Sequence, residues 1–272
     1  MLDWINGKEM RYIEIFSLGM YIFRKNFKKI AFVVGVVFFP IAILHTFIMN
    51  QMFLTASSLS VLMQATSVDT VALWDMAKAY GGNQLLQIMV LLWLEPVGAI
   101  AIAKLAKSYL VEEEMSPKDA IGEGLNCLGT YMAAGVLVAL GVGLGFGAFV
   151  IPGVYLGVLV MFYIQAIGLS GQTGKKSIQY SAVLVKGRWF KSLGFFIFIF
   201  MLGVGFNSMI ELVVSLLGDG FVVDAIFMAL SYFTESLMFI CMTVLFLNRE
   251  MLVHGKKLSK NIVDAVAFAE VE

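Results

Sequence analysis

Residues 193–217 read LGFFIFIFMLGVGFNSMIELVVSLL, with Glu211 as the one charged side chain. A helix of about 20 mainly apolar residues crosses the hydrocarbon core of a bilayer, and this run is long enough. It shows none of the polar–apolar alternation of a barrel strand. Directly before it stands Lys186-Gly187-Arg188-Trp189-Phe190-Lys191. Basic and aromatic side chains of that kind belong at headgroup level, where lysines snorkel and rings straddle the interface.

Working outward, similar apolar runs recur at 30–49, 85–103, 130–151, 154–169 and 223–247. With 193–217 they predict an all-α, polytopic membrane protein: one membrane domain, 1–272, of six transmembrane helices. Ile151-Pro152-Gly153 is expected to turn the chain between the third and fourth. Composition agrees, with 60% hydrophobic and 14% charged residues in a 272-residue chain. Soluble domains carry roughly 45–50% and about 25%. An ordinary soluble enzyme, a disordered chain and a nucleic-acid binder are excluded.

Lysine and arginine set the orientation. Lys78 is the one base of 19 that falls in an outside loop; the other 18 fall on the opposite side. Both termini, including a tail at 248–272, are thus expected in the cytoplasm. The inside segments Tyr12–Lys29, Lys118–Leu128 and Lys175–Arg188 read as interfacial amphipathic helices. The first, within an N-terminal segment 1–29, carries Ile13, Phe16, Met20, Phe23 and Phe27 at helical spacing. The third places Ile178, Ala182 and Val185 on one face. Ser116-Pro117 is a good start for the second. Three repeats of a short helix plus a two-span hairpin follow, although any inner-leaflet entry tends to be basic and aromatic. The stretch 50–83 reads as an outside loop, with a short amphipathic helix over 68–80 ended by Gly81-Gly82.

Three stretches carry a family resemblance. They are Tyr21-Ile22-Phe23-Arg24-Lys25-Asn26-Phe27-Lys28-Lys29 leading to Pro40, Ile151-Pro152-Gly153-Val154-Tyr155-Leu156, and the run from Lys175 to Phe190 that ends Leu184-Val185-Lys186-Gly187-Arg188-Trp189-Phe190. Together they resemble the membrane domain attached to some bacterial glycerophosphodiester phosphodiesterases, and related six-span families of unknown function. The resemblance covers the chain from about Phe16 to the fifth span. It implies a multi-pass protein of the bacterial cytoplasmic membrane. It brings no catalytic residue, because the hydrolytic barrel of those enzymes has no counterpart here.

Ionisable groups inside spans are costly and mark candidate sites. Glu95, in Trp93-Leu94-Glu95-Pro96, falls near the middle of the second span, and Pro96 is expected to disturb the helix beside it. Glu235 lies similarly deep in the sixth, and Glu211 in the outer part of the fifth with Asn207 one turn away. No base is available at those depths; His45 reads as an interfacial residue. One reading is a polar intramembrane site built from Glu95, Asn207, Glu211 and Glu235. The other is that each carboxyl is protonated and bonded to a neighbouring helix as structural glue. Gly141, Gly143, Gly145 and Gly147 have the spacing of close helix packing. Arg24, Lys25, Lys28, Lys29, Lys175, Lys176, Lys186, Arg188 and Lys191 form a basic inner rim suited to anionic lipids or a partner protein.

No catalytic set, cofactor motif or metal cluster is visible. Cys127, in an inside helix, and Cys241, in a span, do not suggest a disulfide. The functional expectation is transport or handling of an amphiphile, lipid or peptide, through the polar site. The alternatives are a non-transporting interaction, immunity or assembly subunit, or the permease half of an ATP-driven exporter.

Overall fold

The computed structural model describes residues 9–63 and 70–254. Among them the chain is helical, without strands. It runs as three units, each a short helix followed by a helical hairpin. In the first, α1 (Tyr12–Lys25) precedes an arm of α2 (Phe27–Val33) and α3 (Phe39–Met63), then a returning arm of α4 (Thr70–Met89) and α5 (Glu95–Leu110). In the second, α6 (Pro117–Asn126) precedes α7 (Leu128–Ala148), then α8 (Val150–Leu159) and α9 (Tyr163–Ser170). In the third, α10 (Lys175–Val185) precedes α11 (Trp189–Val214) and α12 (Phe221–His254). Six stretches are long and apolar enough to span a membrane: Phe27–Ser58, Thr70–Leu110, Leu128–Ala148, Val150–Ser170, Trp189–Leu217 and Phe221–His254. The chain is an all-α multi-pass membrane protein.

The short helices close the units into a ring. α6 packs on α5, α10 on α9, and α1 on α12, so each rests on the returning arm of the unit before it. Small side chains make the contact possible. A Cβ on Gly19 of α1 would meet Cys241 Sγ of α12 at 2.5 Å, and one on Gly124 of α6 would meet the Val97 carbonyl oxygen of α5 at 2.6 Å. In α10 the buried small residues are Ser177 and Ser181. The buried centre is α5 and the second half of α12, including Ile100, Ile102, Ile240, Val244 and Phe246.

Ser181 closes the interruption between α8 and α9. Its hydroxyl donates to the Leu159 carbonyl at 2.8 Å and accepts from the Phe162 amide at 3.0 Å. Both backbone groups are freed where the helix breaks. Ser181→Ala leaves them unpaired in a buried setting. It is expected to cost about 1–3 kcal/mol, measured as a lowered melting temperature in detergent, whereas Ser181→Thr retains the hydroxyl and most of the stability.

Several expectations change. The stretch 50–83 is not a loop where it is described. α3 continues to Met63, and α4 runs from Thr70 straight through Gly81-Gly82. Two helical glycines cost about 1 kcal/mol each relative to alanine. The helix nevertheless runs on alongside α3. Val71 and Trp74 are exposed on it; Val68 and Asp69 lie outside the described residues. Ile151-Pro152-Gly153 is no turn: the chain reverses at Phe149, which is extended, and Pro152 sits in the first turn of α8, where its missing N–H costs nothing.

The N-terminal segment 1–29 is described from Glu9, and its helix spans Tyr12–Lys25. Its buried face is Ile15, Leu18, Gly19 and Ile22, against α12. The stripe Ile13, Phe16, Met20, Phe23 and Phe27 is a second, less buried apolar face. α10 likewise buries Ser177, Ser181, Leu184 and Val185, so only Val185 of its expected face is fully covered. Finally, 248–254 is no tail. α12 continues to His254, and Asn248, Arg249 and Glu250 are buried; 255–272 lie outside the described residues.

Candidate functional site

Two prolines prepare the site. A π-helical turn over Val34–Phe38 comes two residues before Pro40, and another over Val90–Leu94 comes two residues before Pro96. A proline lacks an N–H and crowds the carbonyl four residues back, and a wider turn relieves both. The second turn leaves the Trp93 carbonyl free to accept from the Tyr131 hydroxyl of α7. It also ends directly before Glu95, the first residue of α5.

Phe38, the last residue of the first π turn, is fully buried. Its ring stacks on Tyr232 of α12, with centroids 4.7 Å apart and planes at 22°. Its other side lies on Gly98, where a Cβ would come within 2.3 Å of the ring. The stack holds the Tyr232 hydroxyl, which donates to Glu95 Oε1 at 2.9 Å. Glu235, three residues along α12, lies within electrostatic reach of Glu95. Ser231, one turn before Glu235 on the same face, is buried, and its hydroxyl has no hydrogen-bond partner.

Of the expected site residues, the structure therefore unites Glu95 and Glu235 and adds Tyr232 and Ser231. Glu211 is exposed on α11 and takes no part. The buried side chains of that helix are Ser192, Phe195, Ile199 and Val214, which leaves Glu211 on its outer side. Asn207 is half-buried, with its side-chain oxygen enclosed and unbonded. His45 of α3 does not stand alone: it pairs with the side-chain amide of Gln87 on α4, linking the two long arms. Tyr232 carried a readable signal in its three-residue spacing from Glu235; Ser231 carried one in its turn spacing.

Neither Glu95 nor Glu235 takes part in an ion pair among the described residues. Two carboxylates within electrostatic reach of each other and without a cation are costly to hold in a low-dielectric setting.

A second polar cluster lies at the far end of α12. The Met10 amide donates to Asn248 Oδ1. Arg249, 2% exposed, donates to Glu9, which also receives Lys191 and lies 3.6 Å from Arg188. Glu250 accepts from Ser170 of α9 at 2.7 Å and from Tyr180 of α10, whose ring stacks on His254. Three consecutive residues of α12 thus hold the segment before α1, α9 and α10. The expected basic rim is accordingly divided. Arg188 and Lys191 gather at the start of α1, while Arg24, Lys25 and Lys28 are exposed at its other end, about 20 Å along the helix.

In comparisons with family models, curated proteins and solved structures, nothing matched this chain.

Proposed function

We propose that this multi-pass membrane protein binds an amine-bearing amphiphile at Glu95 and Glu235 and moves it within or across the membrane. The observation that carries this reading is the acidic pair itself: two carboxylates on different spanning helices, no base beside them, and the idle Ser231 hydroxyl on the same helix face. A protonated amine supplies the missing charge and several N–H donors. The apolar remainder of the ligand suits a bundle whose outer faces are largely uncovered aliphatic and aromatic side chains. Tyr232, fixed by its stack on Phe38, orients Glu95 for the contact.

The test is transbilayer movement of acyl-labelled phosphatidylethanolamine in proteoliposomes, with acyl-labelled phosphatidylglycerol as the amine-free control. The wild-type protein is expected to move the amine lipid faster than the control. Glu95→Gln/Glu235→Gln is expected to reduce that rate to the protein-free level while keeping a normal size-exclusion profile. Tyr232→Phe, which keeps the stack and loses the hydroxyl, is expected to fall between. Equal rates for both lipids, or full activity in the double variant, would sink the proposal.

A further inference from the structure

The cluster around Glu9 is over-supplied with positive charge. One carboxylate is shared by Lys191, Arg249 and Arg188. The three bases less the one acid leave a local excess of two positive charges. Glu9, Arg188 and Lys191 border an open groove of about 550 Å³, completed by Gly187, Trp189 and Phe190, with Arg249 buried behind Glu9. Gly187, at φ 80°, makes the left-handed turn that brings the end of α10 round to the start of α11. The first amides of α11 have no helical partner and add to the positive potential there.

The surroundings say where an anion would come from. The groove stands at the first residues of the span Trp189–Leu217. Phe190 is 82% exposed beside it, and Trp189 stacks on Tyr155 with centroids 5.6 Å apart. Exposed aromatic side chains at the start of an apolar span sit at headgroup depth. Arg188 and Lys191 keep 34% and 60% of their side chains exposed, so both can reach a ligand without leaving Glu9. The buried Arg249 stays with Glu9 as the fixed base of the site.

We infer that this groove binds the phosphate of an anionic lipid headgroup, with Arg188 and Lys191 as the contacting bases and Phe190 against the acyl chains. It is separate from the acidic pair and stands whether or not that pair binds an amine. Guanidinium and ammonium groups are well matched to phosphate oxygens.

The experiment is native mass spectrometry of the full chain from detergent containing phosphatidylglycerol or phosphatidylcholine at equal concentration, with inorganic phosphate as a third arm. The wild-type protein is expected to retain phosphatidylglycerol at least tenfold over phosphatidylcholine. Arg188→Gln/Lys191→Gln, which leaves the buried Arg249 on Glu9, is expected to remove that preference without lowering the melting temperature by more than a few degrees. Phe190→Ala is expected to weaken retention of phosphatidylglycerol and leave any binding of inorganic phosphate unchanged. Equal retention of the two lipids by the wild type, or an unchanged preference in the double variant, overturns the inference. Tighter binding of inorganic phosphate than of phosphatidylglycerol also overturns it, by assigning the groove to a soluble anion.

Discussion

Glu9→Leu is expected to destabilise the protein by about 3–5 kcal/mol, because it strands a buried arginine. Arg249 is 2% exposed, and its guanidinium has Glu9 as its acceptor. Arg188 is close enough to repel it. With Glu9 gone, a buried cation faces a like charge and, among the described residues, no paired anion. Removing Arg249 as well should recover most of the loss, since Glu9→Leu/Arg249→Met replaces the pair with apolar side chains of similar bulk. The measurement is the melting temperature of the single and double variants in the same detergent. A single variant as stable as the wild type would show that the ion pair does not hold α1 in place. Acid acts on the same contact. Burial alone would raise the Glu9 pKa, but the hydrogen bonds and charges of Lys191 and Arg249 outweigh it and hold the carboxyl below its ordinary range. A lowered folded-state pKa adds stability above the unfolded value of about 4.3, and that stability is lost as pH falls through the folded value. The wild type should therefore lose melting temperature below about pH 4 more steeply than the double variant.

Gly124→Ala and Gly122→Ala, two residues apart in α6, are expected to have opposite signs. Alanine in a helix interior gains roughly 0.5–1 kcal/mol over glycine. At Gly122 a new Cβ meets nothing within 4 Å, so that gain should appear in full. At Gly124 the Cβ would lie 2.6 Å from the Val97 carbonyl oxygen. That atom belongs to the backbone of α5, which is packed on several sides and cannot turn aside as a side chain can. α6 must lift, at a cost of about 1–3 kcal/mol or more from overpacking. Lifting it strains Lys104 against Glu123 and the loop carbonyl of Met115 that Lys29 holds at 3.0 Å. Paired melting curves read the difference directly. A Gly124→Ala protein more stable than the wild type would refute the close approach of α6 to α5.

The helical bundle was legible in the chain because each span announces itself locally. An apolar run such as 193–217 needs no partner to be recognised. What the chain did not show depends on partners far along it. Asn248-Arg249-Glu250 follows an apolar run and looks like the first polar residues of a tail. Its burial is decided by Glu9, Ser170 and Tyr180, which are 240, 80 and 70 residues away. Ser181 of α10 looks like a solvent-facing polar group until the break between α8 and α9 supplies its partners. The length of α3 and α4 was hidden by small polar residues and a glycine pair, both weak signals against long-range packing. In the candidate site, Glu95 and Glu235 stood out as charges in apolar runs, and Glu211 did too. It lies nearer the end of its helix and on its outer side, and an almost uniformly apolar helix carries little pattern from which to read rotation.

The ring closure has a bearing on how the protein is made. α1 is synthesised before every other described helix, and its partner α12 after them all. Through most of translation, Ile15, Leu18 and Ile22 lack the helix that α1 chiefly packs against. Their burial waits for the arrival of Cys241 and, a few turns later, of Arg249. A nascent chain cut short within α12 would carry all its earlier hairpins yet keep its first helix undocked. Arrival of α12, rather than insertion of any one of the earlier hairpins, is the event that locks these helices together.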